Sequence, residues 1–187
     1  MRNLIVTGFM SLDGVYDSPG GGDHPHAGWT FKDVAFDEAA YEIKGTEQAT
    51  TGALLLGRQS YDEFAPVWPQ MEEFADYNAM PKYVVSTTLP GDTAPWGEGE
   101  VTVLSSLDDV AALKETEGGE IHVHGSARLA QSLAAAGLVD RYTLLVFPLL
   151  LGGGKRLFAE GDKTKLELVE HAAYGNGIIL QRYDVVR

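Results

Sequence analysis

The chain has 187 residues, no cysteine and a formal net charge of −13, from 14 basic and 27 acidic side chains. This length suits one domain, residues 1–187, and a 44% share of hydrophobic residues allows a packed core. Without cysteine, disulfide scaffolds, iron–sulfur clusters and thiol catalysis are excluded. The acidic balance argues against a nucleic-acid or anionic-membrane surface, and no stretch approaches the ~20 apolar residues of a membrane span. We therefore expect a soluble, cytoplasmic domain.

In the first half of the chain, short apolar runs alternate with segments of helical periodicity. Apolar runs that end at turn residues predict strands at residues 4–9, 53–56 and 82–86. Apolar residues at helical spacing predict helices at about residues 34–49, 60–65 and 71–80.

The second half of the chain continues this alternation and ends in a hairpin signal. Strands are predicted at residues 101–104, 121–124, 141–151, from about 166, and 178–183. Helices are predicted at residues 107–114 and from about 127 to 137. An Asn-Gly pair at residues 176–177 predicts a tight turn between the last two strands. The pattern indicates an α/β fold with a mostly parallel central sheet, helices on both faces and a C-terminal antiparallel hairpin.

Two predicted strands end in glycine and turn directly into a helix. Gly57 is followed by Arg58, and Gly125 is followed by Ser126 and Arg128. A helix N-terminus carries unpaired N–H groups and a partial positive charge, and glycine lets a ligand approach the backbone. Each segment therefore indicates a site for an anion.

Two further segments add polar groups at strand ends. Ser86 and Thr87 follow a strand, and the glycines at residues 152–154 are followed by Lys155 and Arg156. Ligands of open α/β sheets bind at the carboxyl ends of strands. We therefore expect a polyanionic ligand with several phosphates, although the P-loop, Rossmann and nucleophile-elbow fingerprints are missing from the sequence.

The histidines raise a metal-binding alternative. His122 and His124 lie two apart on a predicted strand and so share a face, while His24 and His26 flank a loop proline. An H-x-H pair can bind zinc, but no third ligand follows from the spacing. We therefore predict no metal site.

Four motifs occur in a characteristic order: Ser-Leu-Asp-Gly at 11–14, His-Gly-Ser-Ala-Arg-Leu at 124–129, Gly-Leu-Val-Asp at 137–140 and Phe-Pro-Leu-Leu-Leu-Gly-Gly-Gly at 147–154. This order resembles the dihydrofolate-reductase-like family. The chain is most similar to the reductase domain of the bacterial riboflavin-biosynthesis deaminase–reductase and its stand-alone relatives. The resemblance implies an NADPH-dependent reductase of a small heterocyclic or carbonyl substrate, similar to 5-amino-6-(5-phosphoribosylamino)uracil reductase. It also makes a homodimer plausible, with the β-rich run 141–151 as an interface.

The resemblance also implies positions for the bound molecules. The pyrophosphate would lie at the helix start after Gly125, the adenosine 2′-phosphate beside Arg58, and the nicotinamide beneath the loop that follows the first strand. The implied cofactor-binding residues are Met10, Gly14, Trp29, Gly57, Arg58, Ser60, Ser86, Thr87, Gly125, Ser126, Ala127, Arg128 and Leu129. The implied substrate-binding residues are Phe147, Gly152, Gly153, Gly154 and Lys155.

Two residues are candidates for supplying the proton that completes a reduction. Asp13 lies in the loop over the nicotinamide, and His124 lies at a strand end. Because histidine titrates near ~6.5, a catalytic His124 predicts a change in activity around that pH. The bifunctional enzyme carries an acidic residue at the position of His124, which leaves the substrate open.

Two alternative functions remain at this point. One is a nucleotide- or flavin-binding module that retains the fold without the reaction. The other is a dihydrofolate or pterin reductase, whose helix carboxylate would be Asp37, Glu38 or Glu42.

Overall fold

The computed structural model describes residues 1–90, 96–161 and 163–187, which form an eight-stranded sheet. The strands are β1 Leu4–Ser11, β2 Thr51–Gly57, β3 Lys82–Val85, β4 Val101–Leu104, β5 Glu120–His124, β6 Arg141–Phe147, β7 Lys165–Ala173 and β8 Ile179–Val186. Their order across the sheet is β4-β3-β2-β5-β1-β6-β8-β7. The first six strands in this order, β4, β3, β2, β5, β1 and β6, run parallel to one another. Strand β8 is antiparallel to both β6 and β7. The predicted fold class is confirmed.

Helices cover both faces of the sheet. They are α1 Trp29–Lys32, α2 Glu38–Thr50, α3 Arg58–Phe64, α4 Ala75–Ala79, α5 Leu107–Lys114 and α6 Ala127–Ala135, with 3₁₀ turns at Trp68–Gln70 and Glu72–Phe74. Helices α5 and α6 pack on one face and α2 and α3 on the other. Because the central strands are buried on both faces, their sequences are nearly continuous apolar runs. Within the described residues, no helix is long and apolar enough to cross a bilayer.

In three predicted elements, one boundary lies four residues from its predicted position. Helix α2 begins at Glu38, four residues later than predicted, because the Asp37 carboxylate caps it by accepting the Ala39 amide at 3.1 Å. The segment 71–80 is a 3₁₀ turn followed by the short helix α4. Strand β6 ends at Phe147, before a proline that has no N–H to donate.

Within the predicted interface run 141–151, the strand β6 itself is not exposed, whereas Leu150 after it is. Both edges of β6 are paired, one with β1 and the other with β8, and all of its residues after Arg141 are buried. A strand in this position presents neither edge nor face to a second copy of the chain.

Asp140 ties three elements together at the amino ends of the strands. One carboxylate oxygen accepts the Leu4 amide at 2.7 Å and the Lys114 ammonium at 2.6 Å, and the other accepts Arg187 at 2.7 Å. The Lys114 side chain is almost fully buried. Burial opposes ionisation of Asp140, but the hydrogen bonds from Lys114, Leu4 and Arg187 outweigh it and lower its pKa.

We expect Asp140→Ala to lower the free energy of unfolding by about 3–5 kcal/mol, because it leaves the buried Lys114 ammonium without its counter-charge. Urea denaturation measures this loss, and Glu117→Ala, on an exposed loop, is the matched control. A folded-state pKa below the unfolded value of ~3.9 adds stability at higher pH that is lost as the pH falls through the folded pKa. The variant should therefore lose less stability than the parent on acidification, and equal losses would contradict this assignment.

Candidate active site

The carboxyl ends of the neighbouring strands β2 and β5 are joined by hydroxyl groups. The Gly57 amide donates to Ser126 Oγ at 2.7 Å, and Ser126 Oγ donates to Ser60 Oγ at 2.7 Å. A Cβ atom on Gly57 would lie 2.7 Å from Ser126 Oγ, and one on Gly125 would lie 2.9 Å from Ser60 Oγ. Glycine at both positions therefore lets the two strand ends approach each other closely at the carboxyl edge of the sheet.

The start of α6 is built to leave its amides available. Gly125 and Ser126 both have left-handed backbone angles, with φ of 67° and 59°, and a left-handed residue other than glycine is uncommon. Among the described residues no side chain caps α6, whereas Asp37 caps α2 and Ser106 caps α5. An uncapped helix start at the carboxyl edge of a parallel sheet is suited to an anion.

The glycine-rich loop at residues 152–154 lies beside both helices. Lys155 Nζ donates to Gln59 Oε1 of α3 at 3.1 Å, and Gln131 Nε2 of α6 donates to the Arg156 carbonyl at 2.7 Å. Gly152, Gly153 and Gly154 are exposed. The structure thus brings three of the predicted anion-binding segments to one edge of the sheet.

Asp13 anchors this loop. Its carboxylate accepts the Leu151 amide at 3.2 Å, the Gly152 amide at 2.9 Å and the Ser11 hydroxyl at 2.6 Å. The hydrogen bond from Ser11, together with the two amides, holds the pKa of Asp13 below its ordinary value despite partial desolvation. Because the carboxylate is ionised and occupied by donors, the geometry opposes the predicted role of Asp13 as a proton donor and supports a structural one.

The predicted 2′-phosphate ligands lie at the ends of β2 and β3. Arg58 Nε donates to both carboxylate oxygens of Asp62, at 2.9 and 2.7 Å, on the exposed face of α3. Such an exposed pair contributes only a few tenths of a kcal/mol, so Arg58 can exchange Asp62 for another anion. Ser86 Oγ accepts the amides of Thr88 and Leu89, and Thr87 is exposed.

Three residues predicted to contact a ligand, Trp29, Phe147 and Met10, have side chains buried in the core. Trp29 is fully buried, donates from Nε1 to the Asp17 carbonyl at 2.9 Å and packs edge-on against Phe147. Phe147 is fully buried, and Met10 belongs to the main core cluster. Large apolar side chains gain more from this packing than from an exposed cleft wall. Ala127 and Leu129 are likewise buried, which leaves only their backbone amides for a ligand.

His124 lies in an aromatic pocket at the end of β5. Its ring packs edge-on against Tyr77 and Trp68, with centroids 5.0 and 5.8 Å away, and Trp68 stacks on Phe64 at 4.6 Å. Burial, followed by the charges of Lys44 and His122, lowers the pKa of His124 well below its ordinary value. A change in activity near pH 6.5 is therefore not expected from this ring, which is neutral at that pH.

The histidine pair does not form part of a metal cluster in the described residues. His122 Nε2 contacts Glu120 Oε2 at 3.1 Å, and the described part of the chain holds no group of three or more His, Asp or Glu side chains that could bind a metal ion.

The sequence analysis missed a buried ion pair on α2. Glu47 Oε2 accepts the Lys44 ammonium and the Thr7 hydroxyl, each at 2.9 Å, and Lys44 also donates to Thr7 Oγ1 at 2.7 Å. The signal was available, because Glu47 falls on the same helical face as the buried Ala40 and Ile43.

The carboxylates proposed for a folate-like role are placed elsewhere. Asp37 caps α2, and Glu38 and Glu42 are exposed. The buried carboxylate of this helix is Glu47.

Comparison with known proteins agrees with this geometry. A dihydrofolate reductase of Enterococcus faecalis, solved with NADP(H), superposes with a TM-score of 0.64 at 15% identity, covering 99% of this chain and 97% of that one. The family model of the RibD C-terminal domain matches residues 2–180, and the chain belongs to that family. This membership supports a reductase-like function of the riboflavin-pathway type.

Two further proteins are similar to this chain in sequence or in fold. The Uncharacterized protein YyaP of Bacillus subtilis (strain 168) is 24% identical over 190 residues, covering 95% of this chain and 92% of the relative. The Thermotoga maritima diaminohydroxyphosphoribosylaminopyrimidine deaminase/5-amino-6-(5-phosphoribosylamino)uracil reductase has a TM-score of 0.69 at 11% identity. The superposition covers 99% of this chain and 57% of the Thermotoga maritima chain.

We expect Asp13→Ala to release the glycine-rich loop without unfolding the protein. Hydrogen exchange of the Leu151 and Gly152 amides should speed up about tenfold, the equivalent of one lost hydrogen bond. Mass spectrometry of exchange in loop peptides measures this, with Asp23→Ala in the exposed 18–28 loop as control. Unchanged loop exchange would show that the carboxylate does not hold the loop.

Proposed function

We propose that the 187 residues act as one reductase domain that uses NADPH to reduce a small heterocyclic or carbonyl substrate. The observation that carries this proposal is the junction of the ends of β2 and β5, where hydrogen bonds link the Gly57 amide to Ser126 and Ser126 to Ser60. The uncapped start of α6 opens onto the same edge. Membership of the RibD C-terminal domain family supports the reaction class.

The residues at this edge suit a dinucleotide with several phosphates. Backbone amides after Gly125 would face the pyrophosphate, and the glycine leaves no side chain in the way. Arg58 and Arg128 are exposed on the first turns of α3 and α6, and guanidinium groups are well matched to phosphate oxygens. When bound, NADPH would supply a hydride to an electrophilic carbon of the substrate.

The protein's own contribution is binding, orientation and proton supply. The loop held by Asp13 would cover the reacting atoms and exclude water. Trp68 stacks with both Phe64 and Phe74 beside His124, and this aromatic cluster would form an apolar wall against a planar heterocycle. The neutral His124 ring carries one N–H group that would pass a proton to the heteroatom of the reduced double bond.

Cofactor binding and turnover are separate tests of this function. Protein is titrated with NADPH while nicotinamide fluorescence is recorded, and NADPH oxidation is then followed with pterin, ribityl-pyrimidine and quinone-like compounds. Binding with turnover of one class is expected. Binding without oxidation across the panel would favour a non-catalytic nucleotide module, and no binding at sub-millimolar NADPH would overturn the proposal.

We expect Arg58→Ala to weaken NADPH binding about tenfold to a hundredfold, because charge-assisted hydrogen bonds contribute ~1.5–3 kcal/mol. NADH, which has no 2′-phosphate, should be affected by less than about threefold. Asp62→Asn is the matched companion, and it should tighten NADPH binding about twofold by releasing Arg58 from an i,i+4 pair. Equal losses for NADPH and NADH in Arg58→Ala would reject the role of this residue.

A further inference from the structure

Four buried polar atoms lie on the face of the sheet covered by α2 and α4. In the described residues, the buried side-chain atoms without a hydrogen-bond partner are Glu47 Oε1, the Tyr77 hydroxyl, His122 Nδ1 and His124 Nε2. Each such atom costs roughly 1–3 kcal/mol, so folded proteins rarely retain several in one place without a function. We call Thr7, Lys44, Glu47, Tyr77, His122 and His124 the inner polar cluster.

The two histidines of the inner polar cluster belong to one row of side chains. They are two apart on β5, with ring centroids 6.3 Å apart and planes tilted by 30°. Thr7 of β1 is paired with His124 across the sheet, and neighbouring strands lie ~4.8 Å apart. His124 is therefore next to the hydroxyl that binds Glu47 and Lys44.

The other end of the row reaches a cavity at the amino ends of the strands. The cavity is lined by Glu47, His122, Glu120 and Arg141, among others. His122 is 1% exposed, whereas Glu120, whose carboxylate contacts His122 and accepts the Thr50 hydroxyl, is 25% exposed. Proton-exchanging groups thus continue from a solvent-accessible carboxylate to the end of β5.

The state of His124 explains why such a row would be needed. His124 as a residue is partly exposed, and of its two ring nitrogens only Nε2 is among the buried unpartnered atoms of the described residues. A neutral imidazole has one donor and one acceptor nitrogen. It can give a proton from one nitrogen only when a proton returns to the other, and the buried, unpartnered Nε2 is the nitrogen available to receive that proton.

We propose that Glu120, His122, Glu47 and Thr7 form a buried relay that returns a proton to His124 each time His124 gives one to the substrate. The inference rests on the proposed function and names the source of its proton. The heteroatom of the reduced double bond takes the proton from Nδ1 of His124, and Nε2 of the same ring receives a proton through the relay. His122 is reprotonated by way of Glu120, and Glu120 takes its proton from water in the cavity. One solvent proton is consumed per substrate reduced.

Bound water completes the relay in this proposal. Water is the usual partner of buried polar atoms and carries protons between groups that do not touch. The unpartnered atoms of Glu47, His122 and His124 are its expected ligands. Lys44 and Tyr77 adjoin the route, and Arg141 and Arg182 line the cavity, so the charged groups around His122 and His124 come from α2, α4, β5, β6 and β8.

The test uses cofactor-free protein, so it does not depend on NADPH binding or on turnover. Protein with ¹⁵N-labelled histidine is examined by nuclear magnetic resonance, which distinguishes the two ring nitrogens of His124 and gives the rate at which a proton on the buried Nε2 exchanges with water. In His122→Asn and in Glu120→Gln this rate should fall at least about tenfold, since each variant removes a proton-transfer group. Glu120→Asp should retain most of the rate.

His171→Asn on the exposed edge strand β7 is the matched control and should leave the rate unchanged. Glu120→Gln keeps the test decisive if His122→Asn does not fold, because Glu120 is partly exposed. An exchange rate that is the same in the parent and in Glu120→Gln would overturn the relay. That result would leave the proposed function intact, because NADPH binding and NADPH oxidation test that function separately.

Discussion

The hydrogen bond from the Gly57 amide to the Ser126 hydroxyl is the contact on which the candidate active site depends. It joins the ends of two parallel strands that are far apart in the sequence, and it requires glycine on one side and a left-handed serine on the other. The same hydroxyl donates to Ser60, so Gly57, Ser126 and Ser60 form a chain of two hydrogen bonds of 2.7 Å each. The loop held by Asp13 lies at this edge of the sheet, beside α3 and α6.

Much of the fold follows from the sequence because local signals and tertiary packing agree there. Helix α5 occupies the predicted residues 107–114, where Ser106 and Asp109 form a reciprocal cap. Strand positions follow from apolar runs that are buried on both faces. Helix α2 shows the limit, since Val34 and Phe36 continue the apolar spacing while the capping carboxylate of Asp37 decides where the helix starts.

The site is predictable only in its backbone part. Glycines at strand ends are visible in the sequence, and the structure brings Gly57 and Gly125 together. The side-chain contacts of the site cannot be predicted from the sequence in the same way. Trp29 and Phe147 were assigned by position in a family, and their contacts depend on how the loop after β1 folds over the sheet. Glu47 was missed because it is one of many acidic residues in the chain. Only its position on the same helical face as the buried Ala40 and Ile43 distinguishes it. Its burial beside Lys44 follows from tertiary packing.

Strand β1 lies in the middle of the sheet, although it comes first in the chain. Its partners are β5 and β6, with Leu4 opposite Ile121 and Ile5 opposite Arg141. Pairings of such long sequence separation fold slowly, because loop-closure entropy must be lost before they form. During synthesis β1 cannot pair with β5 until residues as far as His124 have left the ribosome, or with β6 until Phe147 has. An unpaired apolar strand is prone to aggregation during this interval.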